Sequence, residues 1–232
     1  MDIREKLALT CRILGTSGHD DQDLGHISAR ESGQSDVIYM KPHCLCLDEI
    51  QPEDIITLDS NYNKLSGERP MHGEVPIHVE ILRARPDVNC VVHTHPMYAT
   101  ALSSTGKRLR PINHDGVMFA KELPVFDLTT DLVVTKELGQ ALAEKLGSAN
   151  ACLMKSHGIV VVGETIEQAC VRAYYLERAA QVQFVATLYG EPTWTDEEEA
   201  EEKAKRIFCD EKVNRMWQTM VRRLKRKESV YK

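Results

Sequence analysis

The run Val91-Val92-His93-Thr94-His95-Pro96 sets two imidazoles at i, i+2 among apolar neighbours. Side chains alternate between the two faces of a strand. A strand over 90–95 therefore projects His93 and His95 to the same side, where their nitrogens can converge on one cation, and Pro96 ends the ladder. Two strand histidines can equally be held by local hydrogen bonds, so the pair alone does not define a metal site. Met71-His72-Gly73-Glu74 upstream and Lys155-Ser156-His157-Gly158 downstream add a carboxylate and another imidazole. Three histidines and a carboxylate make a usable ligand set for a borderline divalent ion, with positions left open for substrate.

These residues need elements to hold them. Ile77, Ile81, Leu82 and Ala84 have helical spacing over 75–85, and Pro86 bounds the segment, which puts Glu74 at a helix start. The free N–H groups there favour a carboxylate whatever else it does. Apolar β-rich runs at 151–154 and 159–162 flank His157 and place it at a strand junction or hairpin. Further strands are expected at 25–30, 37–40, 54–58 and 125–129. Helical spacing appears over 2–15, where Ile3, Leu7, Cys11 and Leu14 form one stripe closed by Gly15 and Gly18, and over 98–102 and 135–146. Thr165-Ile166-Glu167-Gln168 reads as a capping box opening the longest helix, which ends at Gly190. Short strands interleaved with helices predict one α/β domain over 1–194, with a sheet that is not purely parallel, and a charged helical tail over 195–232.

Length and composition narrow the function classes. A chain of 232 residues can bury one sizeable core. Its net charge of -6 argues against a nucleic-acid partner held through phosphates. The basic run 222–227 follows the acidic run 197–202 and reads as a solvated tail. Seven cysteines, odd in number and without a C-x-x-C pair, do not form a secreted disulfide framework, and a reducing cytoplasm fits best. Cys44 and Cys46 read as loop or packing residues. No apolar run approaches the roughly 20 residues of a membrane span, so no membrane partner is expected.

Gly73-Glu74, His93-Thr94-His95, His157-Gly158 and the helix after Gly163-Glu164-Thr165 together resemble the class II aldolase and adducin family, which includes fuculose-phosphate aldolase and ribulose-phosphate epimerase. The resemblance spans residues 5–190. It implies a three-layer α/β/α sandwich with a central mixed, largely antiparallel sheet. It also implies a cyclic homotetramer with active sites at subunit interfaces and one zinc or manganese ion per subunit, iron or cobalt being possible on donor chemistry. Carried over by position, His93, His95 and His157 would be metal ligands and Glu74 the catalytic acid/base. Adducin heads lack the metal histidines, and all three are present here, which points to an enzyme. Family members often complete the site with a neighbour's aromatic or basic residue; Trp217, Tyr231 and the basic tail are candidates, none of them assigned.

The departures bear on substrate. Sugar-phosphate members cradle the phosphate with a Gly-Asn-x-Ser segment, a Pro-Ser-Gly loop and a Ser-Ser pair before the Glu. Here the matching places read Gly25-His26-Ile27-Ser28, Pro42-His43-Cys44 and His72-Gly73. Bulky imidazoles replace small groups in all three segments, which narrows the cavity and removes a backbone nest suited to phosphate. His26, His43 and His72, with Arg30, suit a planar carboxylate or a phenolic or pyridinol oxygen, and family members with Gly-His-Ile-Ser-x-Arg include decarboxylases of hydroxylated aromatic or pyridine carboxylates. The expectation is a metal-dependent carbon-carbon lyase, a carboxy-lyase acting on such a small-molecule carboxylate. A sugar-phosphate aldolase or epimerase is the alternative, and a non-catalytic interaction module the third reading.

Overall fold

The computed structural model describes residues 1–31 and 36–230. Among these residues eight strands form one open sheet: β1 (His26–Arg30), β2 (Ile38–Met40), β3 (Ile56–Leu58), β4 (Lys64–Ser66), β5 (Cys90–Thr94), β6 (Val125–Phe126), β7 (Ala151–Met154) and β8 (Gly158–Gly163). Their order is β4-β3-β2-β1-β5-β8-β7-β6, and every neighbouring pair is antiparallel except β6 with β7. The described residues also form seven α-helices: α1 (Ile3–Leu14), α2 (Val75–Ala84), α3 (Met97–Ser103), α4 (Lys136–Leu146), α5 (Ile166–Tyr189), α6 (Glu197–Ile207) and α7 (Asp210–Val230).

The two-residue period of the strands sorts the core into two layers. Ile27, Ala29, Cys90, Val92, Leu153 and Val161 face α1, α5 and α7. Met40, Ile56, Val91, Met154, Val160 and Val162 face α2 and α4. The result is a three-layer α/β/α sandwich around a mixed, largely antiparallel sheet. Parity also puts His26 and Ser28 of β1 on the same side as Val91 and His93 of β5, because His26 pairs with His93 and Ser28 with Val91. That side belongs to α2, whose N-cap position is Glu74.

Helix starts follow their caps. Asp2 and Glu5 close a reciprocal box on α1, Thr135 caps α4 through Leu138 N, and Thr165 caps α5 through Gln168 N. The end of α1 differs from expectation: Gly15 keeps right-handed helical angles, the chain continues into one wider turn, and Gly18 takes the left-handed conformation at φ 91°. At 54–58 only Ile56–Leu58 is strand, since Pro52–Asp54 makes a tight turn. The strand expected at 125–129 is confined to Val125–Phe126. Cys44 and Cys46 lie in a loop as free thiols.

The segment after 194 forms the charged helices α6 and α7, and α7 does not stand free as a solvated tail. Val213, Trp217, Val221 and Leu224 recur every three or four residues, and this stripe is buried in the core shared with α1 and α5. Trp217 is 0% exposed, and its indole Nε1 donates to Thr10 Oγ1 at 3.4 Å. An indole filled into its own subunit's core cannot reach a neighbour's site, and Tyr231 lies outside the described residues. Trp217→Ala is expected to cost about 3–5 kcal/mol in urea denaturation through the cavity it leaves; a loss under about 1 kcal/mol, the range of surface substitutions, would contradict the docking of α7.

Candidate active site

β5 lies between β1 and β8, so its C-terminal end delivers His93 to the middle of the sheet edge with no exposure to solvent. His93 Nδ1 lies 3.0 Å from the Ile159 carbonyl, which can only accept, so Nδ1 carries the proton and Nε2 keeps its lone pair. His95, just past the strand, is fixed the same way: Nδ1 donates to Asp21 Oδ2 at 2.9 Å. The two Nε2 atoms then stand 3.0 Å apart, a separation that hydrogen bonding within one charge state leaves to a single shared proton or cation.

His157 arrives from the β7–β8 turn, where Ser156 adopts φ 54°. Gly158 is required there for close approach, because a Cβ would lie 2.5 Å from the Thr94 carbonyl oxygen and 2.6 Å from the His95 ring. His157 Nε2 is buried and has no hydrogen-bond partner among the described residues. It faces Glu74 Oε1 at 3.6 Å.

Glu74 occupies the N-cap of α2 but makes no side-chain cap. Its carboxylate turns inward instead: Oε1 accepts from Val133 N at 2.8 Å, and Oε2 lies 3.6 Å from His93 Nε2 and 3.7 Å from His26 Nε2. Ligand atoms from Glu74, His93, His95 and His157 all fall within 4.8 Å of one another. Burial pushes the Glu74 carboxyl up, but facing His157, His26 and His93 outweigh it and hold the group well below the usual carboxylate range. His95 is lowered to about 4 by burial and by the neighbouring His93 and His157, against the pull of Asp21. Neutral imidazoles are the form that binds a cation.

A second set of imidazoles walls the approach to Glu74. The His26 ring centroid lies 4.4 Å from His72 and 4.8 Å from His93, and His72 lies 5.0 Å from the partly exposed His43. His72 Nε2 donates to the Pro42 carbonyl at 3.0 Å, and His26 Nδ1 meets His78 Nε2 at 2.6 Å, with Ser28 Oγ 2.7 Å from His78 Nδ1. Burial lowers His26 and His78 far below the ordinary histidine value, and burial together with Lys41 brings His72 to about 3. At neutral pH His26, His72 and His78 are uncharged and offer hydrogen bonds.

Arg30 is not in that wall, and the expectation that it binds substrate is corrected. It follows His26 on the same face of β1 but four residues on, about 13 Å along the strand. Its guanidinium is spent on the carbonyls of Arg85 and Val88, at 3.0 and 2.8 Å. The buried cation beside the histidines is Lys41, whose Nζ donates to the Asp23 carbonyl at 2.7 Å and stands 3.4 Å from His72 Nε2. Lys41, Asp21 and His78 escape the sequence reading. His78 had a signal, since it lies one helical turn after Glu74 on the same face; Asp21 is 74 positions from its partner and had none.

Comparison with known proteins shows the family and the fold. The family model described as Class II Aldolase and Adducin N-terminal domain matches residues 5–184. The 3,4-dihydroxyphthalate decarboxylase of Arthrobacter keyseri is 31% identical over 81% of this chain and 79% of its own. The L-fuculose phosphate aldolase of Methanococcus maripaludis is 30% identical over 80% of this chain and 97% of its own. Among solved structures, an aldolase II superfamily protein from Pseudomonas syringae superposes with a TM-score of 0.88 at 25% identity, covering 97% of this chain and 92% of that one. With matching sequence, matching fold and the histidine set in place, this chain belongs to the class II aldolase and adducin family.

Proposed function

We propose that this chain is a divalent-metal-dependent carbon-carbon lyase that decarboxylates a non-phosphorylated hydroxy-aromatic or hydroxypyridine carboxylate. The observation that carries the substrate class is the wall of His26, His43 and His72 beside Glu74, at the positions where the resemblance puts a phosphate cradle. Rings packed at 4.4 to 5.0 Å, with His26 and His72 held neutral by burial, suit a planar, hydrogen-bonding ligand better than a phosphate dianion. The Arthrobacter relative's name, a decarboxylase of a dihydroxylated aromatic acid, supports the same class.

The donor set fits a divalent ion. His157 Nε2 is a buried nitrogen with no hydrogen-bond partner among the described residues, and the hydrogen bonds of His93 to Ile159 and of His95 to Asp21 leave both Nε2 atoms free to ligate. His93, His95 and His157 would hold the ion, with Glu74 beside it. Zinc and manganese are the favoured identities, iron and cobalt also being compatible with three imidazoles. When bound, the ion supplies Lewis-acid stabilisation of charge developing on an oxygen conjugated to the reacting carbon, worth several kcal/mol.

The chain's own residues handle orientation and the proton. His26 and His72 orient the ring, and Lys41 adds the positive charge that Arg30 does not provide. Glu74, ionised at rest, takes the proton of the substrate hydroxyl onto its carboxylate. Glu74 then returns that proton to the ring carbon bearing the carboxylate, which draws the oxygen's charge into the ring and leaves a ketone there. The bond from that carbon to the carboxylate carbon breaks, its electron pair restores the aromatic ring and the charge on the oxygen, carbon dioxide leaves, and solvent reprotonates the product oxygen. Retro-aldol cleavage poses the same demand on metal and Glu74, and the Methanococcus aldolase makes that the second reading. A cyclic homotetramer with sites at subunit interfaces, in the cytoplasm, belongs to the same proposal. The exposed Phe184, Leu188 and Tyr189 near the end of α5 support an interface there.

Protein loaded with zinc or manganese is expected to release carbon dioxide from ortho-hydroxybenzoates or hydroxypyridine carboxylates, and Glu74→Gln is expected to lower kcat by roughly 10²- to 10⁴-fold. Cleavage of fuculose 1-phosphate with no carbon dioxide from any of the aromatic acids would overturn the decarboxylase reading. Asp21→Ala is expected to weaken metal affinity by roughly 10- to 100-fold in chelator competition, through the lost grip on His95; an unchanged affinity would show that Asp21 does not support the ligand.

A further inference from the structure

A cavity of about 600 Å³ opens between the end of α1, the middle of α5 and one side of α7. None of Glu74, His93, His95 and His157 lines it. Five lining residues are cationic, Arg178 on α5 and Arg215, Arg222, Arg223 and Lys227 on α7, and no lining residue is acidic. The chain as a whole carries -6. Concentrating like charges around one concavity is unfavourable unless an anion joins them, and the low-dielectric walls focus the positive potential.

A merely solvated helix face is built differently, and α6 shows how. There Lys203 pairs with Glu199 at 2.8 Å and Lys205 with Glu202 at 2.6 Å. On α7 the stripe beside the buried one runs Arg215, Thr219, Arg223, Lys227 at steps of four residues, an arrangement of like charges that weakens a helix. Among the described residues no carboxylate pairs with Arg215, Arg223 or Lys227, while Arg222 donates to Thr219 Oγ1 at 2.8 Å. Arg178 is anchored by Asp115 at 3.1 Å, outside the cavity lining. Tyr174 and Tyr175 complete the wall, edge to face with centroids 5.2 Å apart, and the Arg178 guanidinium lies 5.8 Å from the Tyr174 ring.

We propose that this cavity is a second binding site, independent of the lyase reading, for a small organic polyanion of nucleotide size. Two or more phosphoryl groups would span Arg178 on α5 and Arg215 and Arg223 on α7, where planar guanidinium forks match phosphate oxygens, and the planar part would rest on the tyrosines. The volume lies within the range of small-molecule sites.

The test is calorimetric titration of the full-length protein with ATP and with inorganic pyrophosphate at fixed ionic strength. Both are expected to bind, and Arg215→Gln/Arg223→Gln should weaken them roughly tenfold or more, the cost of losing charge-assisted contacts. Lys225→Gln/Arg226→Gln removes the same charge from α7 outside the cavity and should leave affinity unchanged. His93→Ala should also leave it unchanged, separating this site from any ion held by the histidines. Failure of both probes to bind the wild-type protein overturns the proposal. So does equal weakening by the two arginine- and lysine-directed pairs, loss in His93→Ala alone, or a change of oligomeric state in Arg215→Gln/Arg223→Gln with binding intact, which would make the cavity a contact between copies.

Discussion

A carboxylate buried against three imidazoles is the constraint on which the rest of this molecule depends. Removing Glu74 and the nitrogens of His93, His95 and His157 from water is costly unless each remaining polar atom has a fixed partner. The fold supplies those partners from distant segments: Val133 N to Glu74, the Ile159 carbonyl to His93, and Asp21 to His95. Of the cluster's buried atoms, His157 Nε2 has no hydrogen-bond partner among the described residues, and it faces Glu74 in the same cluster. Strand order follows the same need, since β5 sits between β1 and β8 and so brings His26, His93 and the β7–β8 turn to one edge.

The imidazole wall changes what the pocket can recognise. Burial keeps His26, His72 and His78 neutral, so the wall has shape and hydrogen bonds but little charge. Its rotations are restricted because each ring but His43 is tied to a backbone carbonyl or another buried side chain. A rigid wall of this kind favours a flat substrate, with the burial of Lys41 leaving one cation close to His72. Positioning thus comes from neutral groups, and the charge chemistry is reserved for Glu74 and the histidine set.

Much of this was legible in the amino-acid order because it is local and periodic. The i, i+2 pair His93 and His95, the helix start at Glu74 and the turn at His157 all follow from spacing, and the boundaries of α4 and α5 follow from Thr135, Gly147, Thr165 and Gly190. What failed needed register or tertiary contact. Period two puts Arg30 on the same face as His26, but only the pairing of Ser28 with Val91 shows that Arg30 lies beyond the site. Asp21 sits in a polar turn with nothing to tie it to His95. The stripe Val213, Trp217, Val221, Leu224 is helical, yet the surrounding charges of α7 hid it.

The most direct measurement is metal content by mass spectrometry after equilibration with zinc or manganese and removal of free ion, on the wild-type protein and on His157→Ala with its helical content checked by circular dichroism. One ion per wild-type chain and its loss in the folded variant are expected, because His157 Nε2 is a buried nitrogen of the cluster with no hydrogen-bond partner among the described residues. Substoichiometric metal in the wild type, or an undiminished content in His157→Ala, would contradict this expectation.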